Sequence, residues 1–209
     1  MSGEHAGSAA GRGARSPGAG FTLDLHRCVG CGACVLACRI ENGRTGTAPW
    51  RRVVPVNLVR RLAGPTYFLS VACHHCDKPA CLAGCPSRAY EKRADGVVLH
   101  HAERCLGCRY CEMACPFGAP QYDPDRGIVS KCTLCAPRLD DGRLPACVTA
   151  CPTGALQLAP PGRDTGGEAL RDVPGFVDPA GCGPSLRFRA PAGARREQLF
   201  RALQEAMAR

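Results

Sequence analysis

The chain has 209 residues, a length that suits one or two domains. Aromatic residues make up only 5% of it, whereas 25 glycines and 18 prolines favour turns, so a core built from large apolar side chains would be thin for this length. The formal net charge is +9, and no run of 18 apolar residues occurs, so we expect no transmembrane helix.

The N-terminal segment 1–20 contains neither an apolar stretch nor a twin-arginine pair. It therefore indicates a disordered leader rather than a signal peptide. Without a signal peptide we expect synthesis in the reducing cytoplasm, where the 17 cysteines would bind metal rather than form disulfides.

Short secondary-structure elements are predicted along the chain. Alternating residues predict strands at 21–25, 67–72, 97–100 and 155–158. The segments 35–37 and 112–114 predict short helices, and Pro116 stops the second of them. Strand, loop and helix then repeat, which indicates an α+β fold built from small units.

The C-terminal part of the sequence has a different composition. Segment 159–193 is rich in proline and glycine and has no periodicity, so we expect it to wrap the surface or act as a link. Segment 194–209 regains a helical period. This terminal helix either packs on its own domain or docks against a partner subunit.

Sixteen of the 17 cysteines form an internal repeat of four groups. Groups one and three have the spacing C-x2-C-x2-C-x3-C, whereas groups two and four lengthen the middle interval. Proline follows the last cysteine of groups two to four, but Arg39 follows that of group one. In order, the groups are Cys28, Cys31, Cys34, Cys38; Cys73, Cys76, Cys81, Cys85; Cys105, Cys108, Cys111, Cys115; and Cys132, Cys135, Cys147, Cys151.

This spacing favours 4Fe-4S clusters over zinc. A C-x2-C-x2-C loop delivers three thiolates to one cubane and points backbone N–H groups at its sulfides. The fourth cysteine lies beyond a helical turn, and in two-cluster ferredoxins it ligates the neighbouring cluster. Zinc usually takes two pairs of ligands and suits this pattern poorly.

The positive charge has two interpretations. It could form a surface for nucleic acid, and a zinc protein that binds nucleic acid is the remote alternative for the whole sequence. Each ligated 4Fe-4S cluster, however, adds about −2, so four clusters would offset about eight positive charges. We favour this second interpretation.

The sequence from CHHCDKPACLAGCP (73–86) through 105–127 and 131–156 closely resembles the iron–sulfur subunit of dimethyl sulfoxide reductase. That protein is one of the four-cluster ferredoxin subunits of molybdopterin oxidoreductases. The resemblance implies two ferredoxin-like double-cluster domains, one inserted into the other. The outer domain comprises 21–72 plus 125–160, the inserted domain comprises 73–124, and 161–209 form a loop-rich tail with the terminal helix.

The resemblance also implies which cysteines share a cluster, a pairing that spacing alone does not establish. Groups one and four exchange their last cysteines, and so do groups two and three. Four 4Fe-4S clusters are then expected, with these ligands: Cys28, Cys31, Cys34 and Cys151 (first site); Cys132, Cys135, Cys147 and Cys38 (second site); Cys73, Cys76, Cys81 and Cys115 (third site); Cys105, Cys108, Cys111 and Cys85 (fourth site).

In complexes of this family the iron–sulfur subunit is not the enzyme. It passes single electrons between a molybdopterin catalytic subunit and a quinone-linked membrane anchor. The resemblance implies both partners, without nucleic acid or a membrane span of its own. It also implies a peripheral membrane complex, either cytoplasmic or exported folded with a signal-bearing partner. A free-standing polyferredoxin is the nearest alternative, and a large apolar interface would argue against it.

Five residues near the groups need separate interpretation. Sixteen cysteines leave no ligand position for His74 or His75, so we expect them at the surface or beside a cluster. Cys182 lies outside every group and is interpreted as a free thiol. Arg109 and Lys131 flank cysteines, where their charge either raises a cluster's reduction potential or is simply solvated.

Overall fold

The computed structural model describes residues 19–44, 48–56, 67–159, 169–173, 175–176, 178 and 180–189. Within them, short strands alternate with short helices, which confirms the mixed α+β class. The strands are β1 (Gly20–Asp24), β2 (Arg52–Val56), β3 (Tyr67–Val71), β4 (Tyr90–Lys92), β5 (Val98–His100), β6 (Gln121–Asp123), β7 (Ile128–Ser130), β8 (Leu156–Ala159), β9 (Ala169–Leu170) and β10 (Arg187–Arg189). The α-helices are α1 (Ala33–Glu41), α2 (Ala80–Ala83), α3 (Tyr110–Ala114), α4 (Ala136–Asp140) and α5 (Ala146–Thr149), and a 3-10 helix spans Ala102–Arg104.

One four-stranded sheet joins the two ends of the described residues. Its order is β8-β1-β10-β9, with β1 antiparallel to β8 and parallel to β10. The remaining strands form three antiparallel hairpins, β2–β3, β4–β5 and β6–β7. Strand β1 is buried on both faces, and its Phe21 and Leu23 belong to the main apolar core.

The prolines after the cysteine groups decide where the helices end. Helices α2, α3 and α5 stop just before a Cys-Pro pair, because proline lacks an N–H and disfavours helical backbone in the residue before it. Arg39 stands in that place in group one, so α1 continues through Cys38 to Glu41.

The described part of the C-terminal tail is a structural component of the core. Strand β10 pairs with β1, and Val173, Leu186 and Phe188 are buried in the main apolar cluster. The Phe176 ring packs edge-on against Phe188, with 5.1 Å between ring centroids. The prediction that segment 159–193 only wraps the surface or links is therefore wrong for these residues, because the pairing of single strands distant in sequence leaves no local periodicity.

Two predicted segments lie wholly or mostly beyond the described residues. Strand β1 begins at Gly20, and Ala19 is already buried, so the described structure starts just inside the predicted leader 1–20. The rest of that leader and the predicted terminal helix 194–209 are outside the described part.

Helix packing brings the cysteine groups together in pairs. Helix α1, which carries Cys34 and Cys38, packs on α5, and α2 packs on α3. A buried ion pair adds a link across the fold, since Arg44 Nη1 lies 3.5 Å from Asp123 Oδ2. The Arg44 guanidinium also lies over the Trp50 ring, 5.1 Å from its centroid.

Truncating Phe188 tests whether the tail belongs to the core. We expect Phe188→Ala to lower the free energy of unfolding by about 3–5 kcal/mol, because the side chain is fully buried. For a protein of this length the loss corresponds to a fall of roughly 6–20 °C in the midpoint of thermal unfolding. The measurement is a thermal melt followed by cluster absorbance and circular dichroism at one heating rate.

Leu144, which is 49% exposed, provides the control. We expect Leu144→Ala to change the free energy of unfolding by less than about 0.5 kcal/mol. Equal midpoints for the Phe188 and Leu144 variants would contradict the structural role of the tail.

Candidate metal centres

The loop that presents each cysteine group contains a left-handed residue at the same place. The residue before the second cysteine has a positive φ in all four groups: Gly30 (70°), His75 (45°), Gly107 (66°) and Leu134 (57°). Such a turn directs successive backbone N–H groups into one concavity, which suits an anionic cluster. At Gly107 a Cβ would overlap the Gly127 carbonyl oxygen, so only glycine fits there.

Two of the predicted ligand sets line cavities in the structure. Cys28, Cys31 and Cys34 surround one cavity together with Cys151, which lies more than a hundred residues later in the sequence. A second cavity is lined by Cys73, Cys76, Cys81 and Cys115. In both cavities, the cysteine from the partner group is the last of its own group.

In the other two sets, the electrostatic influence of some members on one another indicates that these members lie close together. Burial raises the pKa of Cys38 to about 11, and the charges of Cys147 and Cys135 act in the same direction. Burial also raises the pKa of Cys111, with further contributions from the charges of Cys105 and Cys85. Cys108, the remaining member of the fourth site, is exposed in the same loop.

Two of the cysteines predicted to ligate the neighbouring cluster accept hydrogen bonds that favour their ionised form. Burial acts to raise the pKa of Cys85, but donors around its sulfur, including the Ala89 N–H at 3.3 Å, outweigh burial and lower the pKa. The pKa of Cys151 is lowered in the same way, with the Leu156 N–H 3.4 Å from the sulfur. The thiolate is the form that binds metal, so these contacts favour ligation.

Two buried cations lie among the cysteines. Arg51 and Lys131 are each 1% exposed. The Arg51 charge lowers the pKa of Cys38, Cys132 and Cys147 against the larger effect of burial. Lys131 acts on the pKa of Cys81 in the same sense. Sequence reasoning missed Arg51, because one arginine before a strand in a basic protein carries no local signal.

The structure distinguishes the two interpretations of the flanking charges. Arg109 is exposed and pairs with Glu112, with Arg109 Nε 2.6 Å from Glu112 Oε2, so its charge is solvated. Lys131, in contrast, donates from Nζ to the carbonyl oxygens of Val98 and, at 3.1 Å, Cys132. Its charge is therefore held inside the protein.

Both histidines between Cys73 and Cys76 are buried, so a surface position is ruled out. His74 packs edge-on against Phe117 and Phe176, and burial lowers its pKa to about 3. The His75 Nδ1 accepts a hydrogen bond from the Val98 N–H at 2.9 Å. Its Nε2 is buried without a hydrogen-bond partner, and His75 is one of the residues that line the cavity of the third site.

Cys182 is buried beside the third site. Its carbonyl oxygen accepts from the Lys78 N–H at 2.9 Å, and its N–H donates to Asp178 Oδ1 at 3.0 Å. After burial and Cys73, the charge of Cys182 is the next contribution that raises the pKa of Cys76. The sequence placed this thiol outside every group, whereas the fold places it next to one.

The donor chemistry of these sites fits iron–sulfur clusters. Within the described residues, no three histidine, cysteine or acidic side chains form a group suited to a single metal ion. The thiols of the first and third sites instead surround cavities, and the buried cation Lys131 lines the cavity of the third site, an environment suited to an anionic body. Fold and sites together define a protein of the ferredoxin type.

Comparison with known proteins agrees with this class. A 4Fe-4S dicluster domain family matches residues 65–160, and a 4Fe-4S binding domain family matches residues 21–41. One chain of the anaerobic dimethyl sulfoxide reductase of Escherichia coli K12 is 42% identical over 149 residues, covering 68% of this chain and 73% of that one. The formate dehydrogenase iron–sulfur subunit of Wolinella succinogenes is 38% identical over 158 residues, covering 65% and 78%.

A third relative, a tetrathionate reductase subunit of Salmonella typhimurium, is 40% identical over 136 residues, covering 64% of this chain and 54% of that one. The protein therefore belongs to the 4Fe-4S subunit family of molybdopterin oxidoreductases that includes the dimethyl sulfoxide reductase relative. None of the helices in the described residues is long and apolar enough to span a membrane.

Replacing Cys38 by serine tests the exchange of ligands between groups one and four. We expect Cys38→Ser to disturb the same cluster as Cys132→Ser, and not the one disturbed by Cys28→Ser, because a serine oxygen is a poorer ligand for iron. Electron paramagnetic resonance of the three reduced variants, with iron per chain, gives the comparison. A Cys38→Ser spectrum that matches Cys28→Ser would disprove the exchange.

Cys182→Ser is the control for loss of a buried cysteine outside the predicted ligand sets. We expect it to retain all cluster signals of the unmodified protein.

Proposed function

We propose that this protein is a non-catalytic electron-transfer subunit that holds four 4Fe-4S clusters. It relays single electrons between a molybdopterin-containing catalytic subunit and a quinone-linked membrane anchor, within a peripheral membrane complex. The clusters are bound by the four ligand sets defined above. The observation that carries the proposal is the continuity of the four thiol sites through the protein.

Three links support this continuity. Helix α1 carries both Cys34 of the first site and Cys38 of the second. Cys132 of the second site packs in one apolar cluster with Cys73 of the third. The packing of α2 on α3 then joins the third site to the fourth. Each site thus has a neighbour in contact, which is the arrangement that stepwise electron transfer requires.

Exposed apolar side chains favour a subunit over a free-standing polyferredoxin. Val29 is 60% exposed and follows the first cysteine of group one. Leu106, 73% exposed, holds the same place in group three, with exposed Tyr110 and Met113 nearby. These residues lie at the first and fourth sites, the two ends of the series, where partner proteins would need to approach.

The packing of the helices also supports the nested domains proposed for this protein. Groups one and four belong to an outer domain, and groups two and three to an inserted one. The β6–β7 hairpin crosses residues 124 and 125, where the sequence predicted the boundary. We therefore move the second boundary of the inserted domain to the end of β7 at Ser130.

The first test is the cofactor content of the protein purified without oxygen. We expect about sixteen iron atoms and about sixteen acid-labile sulfides per chain, with a broad brown absorption, because four cubanes contribute four of each. About eight iron atoms and eight sulfides per chain would be consistent with an electron-transfer role but would contradict two of the four proposed cluster sites. Near-zero iron with bound zinc would overturn the proposal and favour the nucleic-acid alternative.

The second test concerns the partners. We expect the tagged protein, purified from its own host, to carry about one molybdenum or tungsten atom per chain, and a reduced quinone analogue to reduce its clusters. The double variant Leu106→Glu and Met113→Glu should keep its iron but lose one partner, and Val29→Glu should lose the other partner. Loss of one partner is seen as loss of cluster reduction by the quinol, and loss of the other as loss of the molybdenum. An iron-loaded protein that carries neither metal would instead be a free-standing polyferredoxin.

A further inference from the structure

A guanidinium is buried between the first and second thiol sites. None of the ion pairs in the described residues includes Arg51. Burial acts to lower its pKa, but the thiolates of Cys147, Cys132, Cys34 and Cys38 outweigh burial and raise it. One of these cysteines belongs to the first site and three to the second. A charge so deeply buried requires compensation, and the thiol sites are its nearest source.

Two of the Arg51 donors have no oxygen acceptor in the described residues. The Nη1 group donates to the carbonyl oxygen of Ser70 at 3.3 Å and to its Oγ at 3.0 Å. The buried Nε and Nη2 groups have no hydrogen-bond partner of normal geometry, and the Cys147 thiol lies close enough to the Arg51 side chain for this contact to lower its pKa against the larger effect of burial. The Phe21 ring lies 4.4 Å from the guanidinium carbon and covers one face, which excludes water there. Buried donors are rarely left unpaired, so these two indicate a missing acceptor.

Ser70 extends the reach of Arg51 to the first site. The Ser70 Oγ lies 3.3 Å from the Cys34 Sγ. Because this oxygen accepts from Arg51, the hydroxyl proton is free to point at the cysteine sulfur. Arg51 therefore acts on the first site through Ser70 and on the second site directly.

We propose that Arg51 is the internal counter-ion of the first and second clusters, donating its Nε–H and Nη2–H to cluster sulfurs and raising both reduction potentials. This inference rests on the proposed function, since it requires bound clusters. Electron transfer between the two sites oxidises one and reduces the other by one electron, with no bond formed or broken and no proton moved. The accepting site becomes one charge more negative beside a guanidinium that stays protonated, so the reduced form is stabilised more than the oxidised form.

Redox titrations followed by electron paramagnetic resonance test this role, with iron per chain measured for every variant. We expect Arg51→Gln to reduce the equilibrium constant for reduction about tenfold or more at two of the four clusters, which is about 59 mV for a one-electron couple. Arg51→Lys keeps the charge and should lie closer to the unmodified protein.

Two further variants are matched controls. Arg52→Gln removes the same charge one residue away, from an exposed side chain that donates to the Phe117 carbonyl oxygen, and should leave all four potentials nearly unchanged. Lys131→Gln removes an equally buried charge beside Cys81 of the third site. Its largest shift should fall on a cluster that Arg51→Gln leaves unchanged.

Unchanged potentials in an iron-replete Arg51→Gln protein, or an equal shift in Arg52→Gln, would overturn the inference. If Arg51→Gln fails to load iron, Arg51→Lys decides: loading by the lysine variant supports a counter-ion, and failure of both shows that the side chain acts only in packing. Absence of iron–sulfur clusters from the unmodified protein would reject the proposed function instead, before Arg51 is tested.

Discussion

The concentration of negative charge inside the protein is the constraint on which the other features depend. Each ligated cluster would carry about −2, and the four proposed sites lie in contact within one small protein. The left-handed loops stabilise this negative charge with backbone N–H groups, and the buried side chains of Arg51 and Lys131 stabilise it with positive charges. These two buried charges thus have a structural role that needs no nucleic acid.

The same constraint explains how so few large apolar residues can hold a fold. Metal–thiolate bonds form with folding, so cluster binding supplies stability that a small core cannot. The apolar core is concentrated in the four-stranded sheet, where Phe21, Phe176 and Phe188 pack. The helices that carry cysteines pack in pairs around the sites, and exchanged ligands would tie each pair together.

Local features of this fold could be predicted from the sequence, and long-range ones could not. The four predicted strands appear as β1, β3, β5 and β8, and the prolines after the cysteines mark the helix ends. The parallel pairing of β10 with β1 leaves no local pattern, so the tail was misjudged. The burial of Arg51, His74 and Cys182 likewise depends on groups distant in sequence. Cysteine spacing indicates the kind of site, but only the fold shows which charges surround it.

The pairing of β1 with β10 also bears on the order of biogenesis. Strand β1 leaves the ribosome well before its parallel neighbour β10, because most of the described residues lie between the two strands. The cysteines of group one are likewise synthesised long before those of group four, whereas groups two and three lie close together in the sequence. In the proposed arrangement the ligands of the inner pair of sites are therefore complete first, and those of the outer pair only once group four has emerged. Premature termination before group four would leave a polypeptide with all the proposed ligands of the inner sites and only half of those of the outer sites.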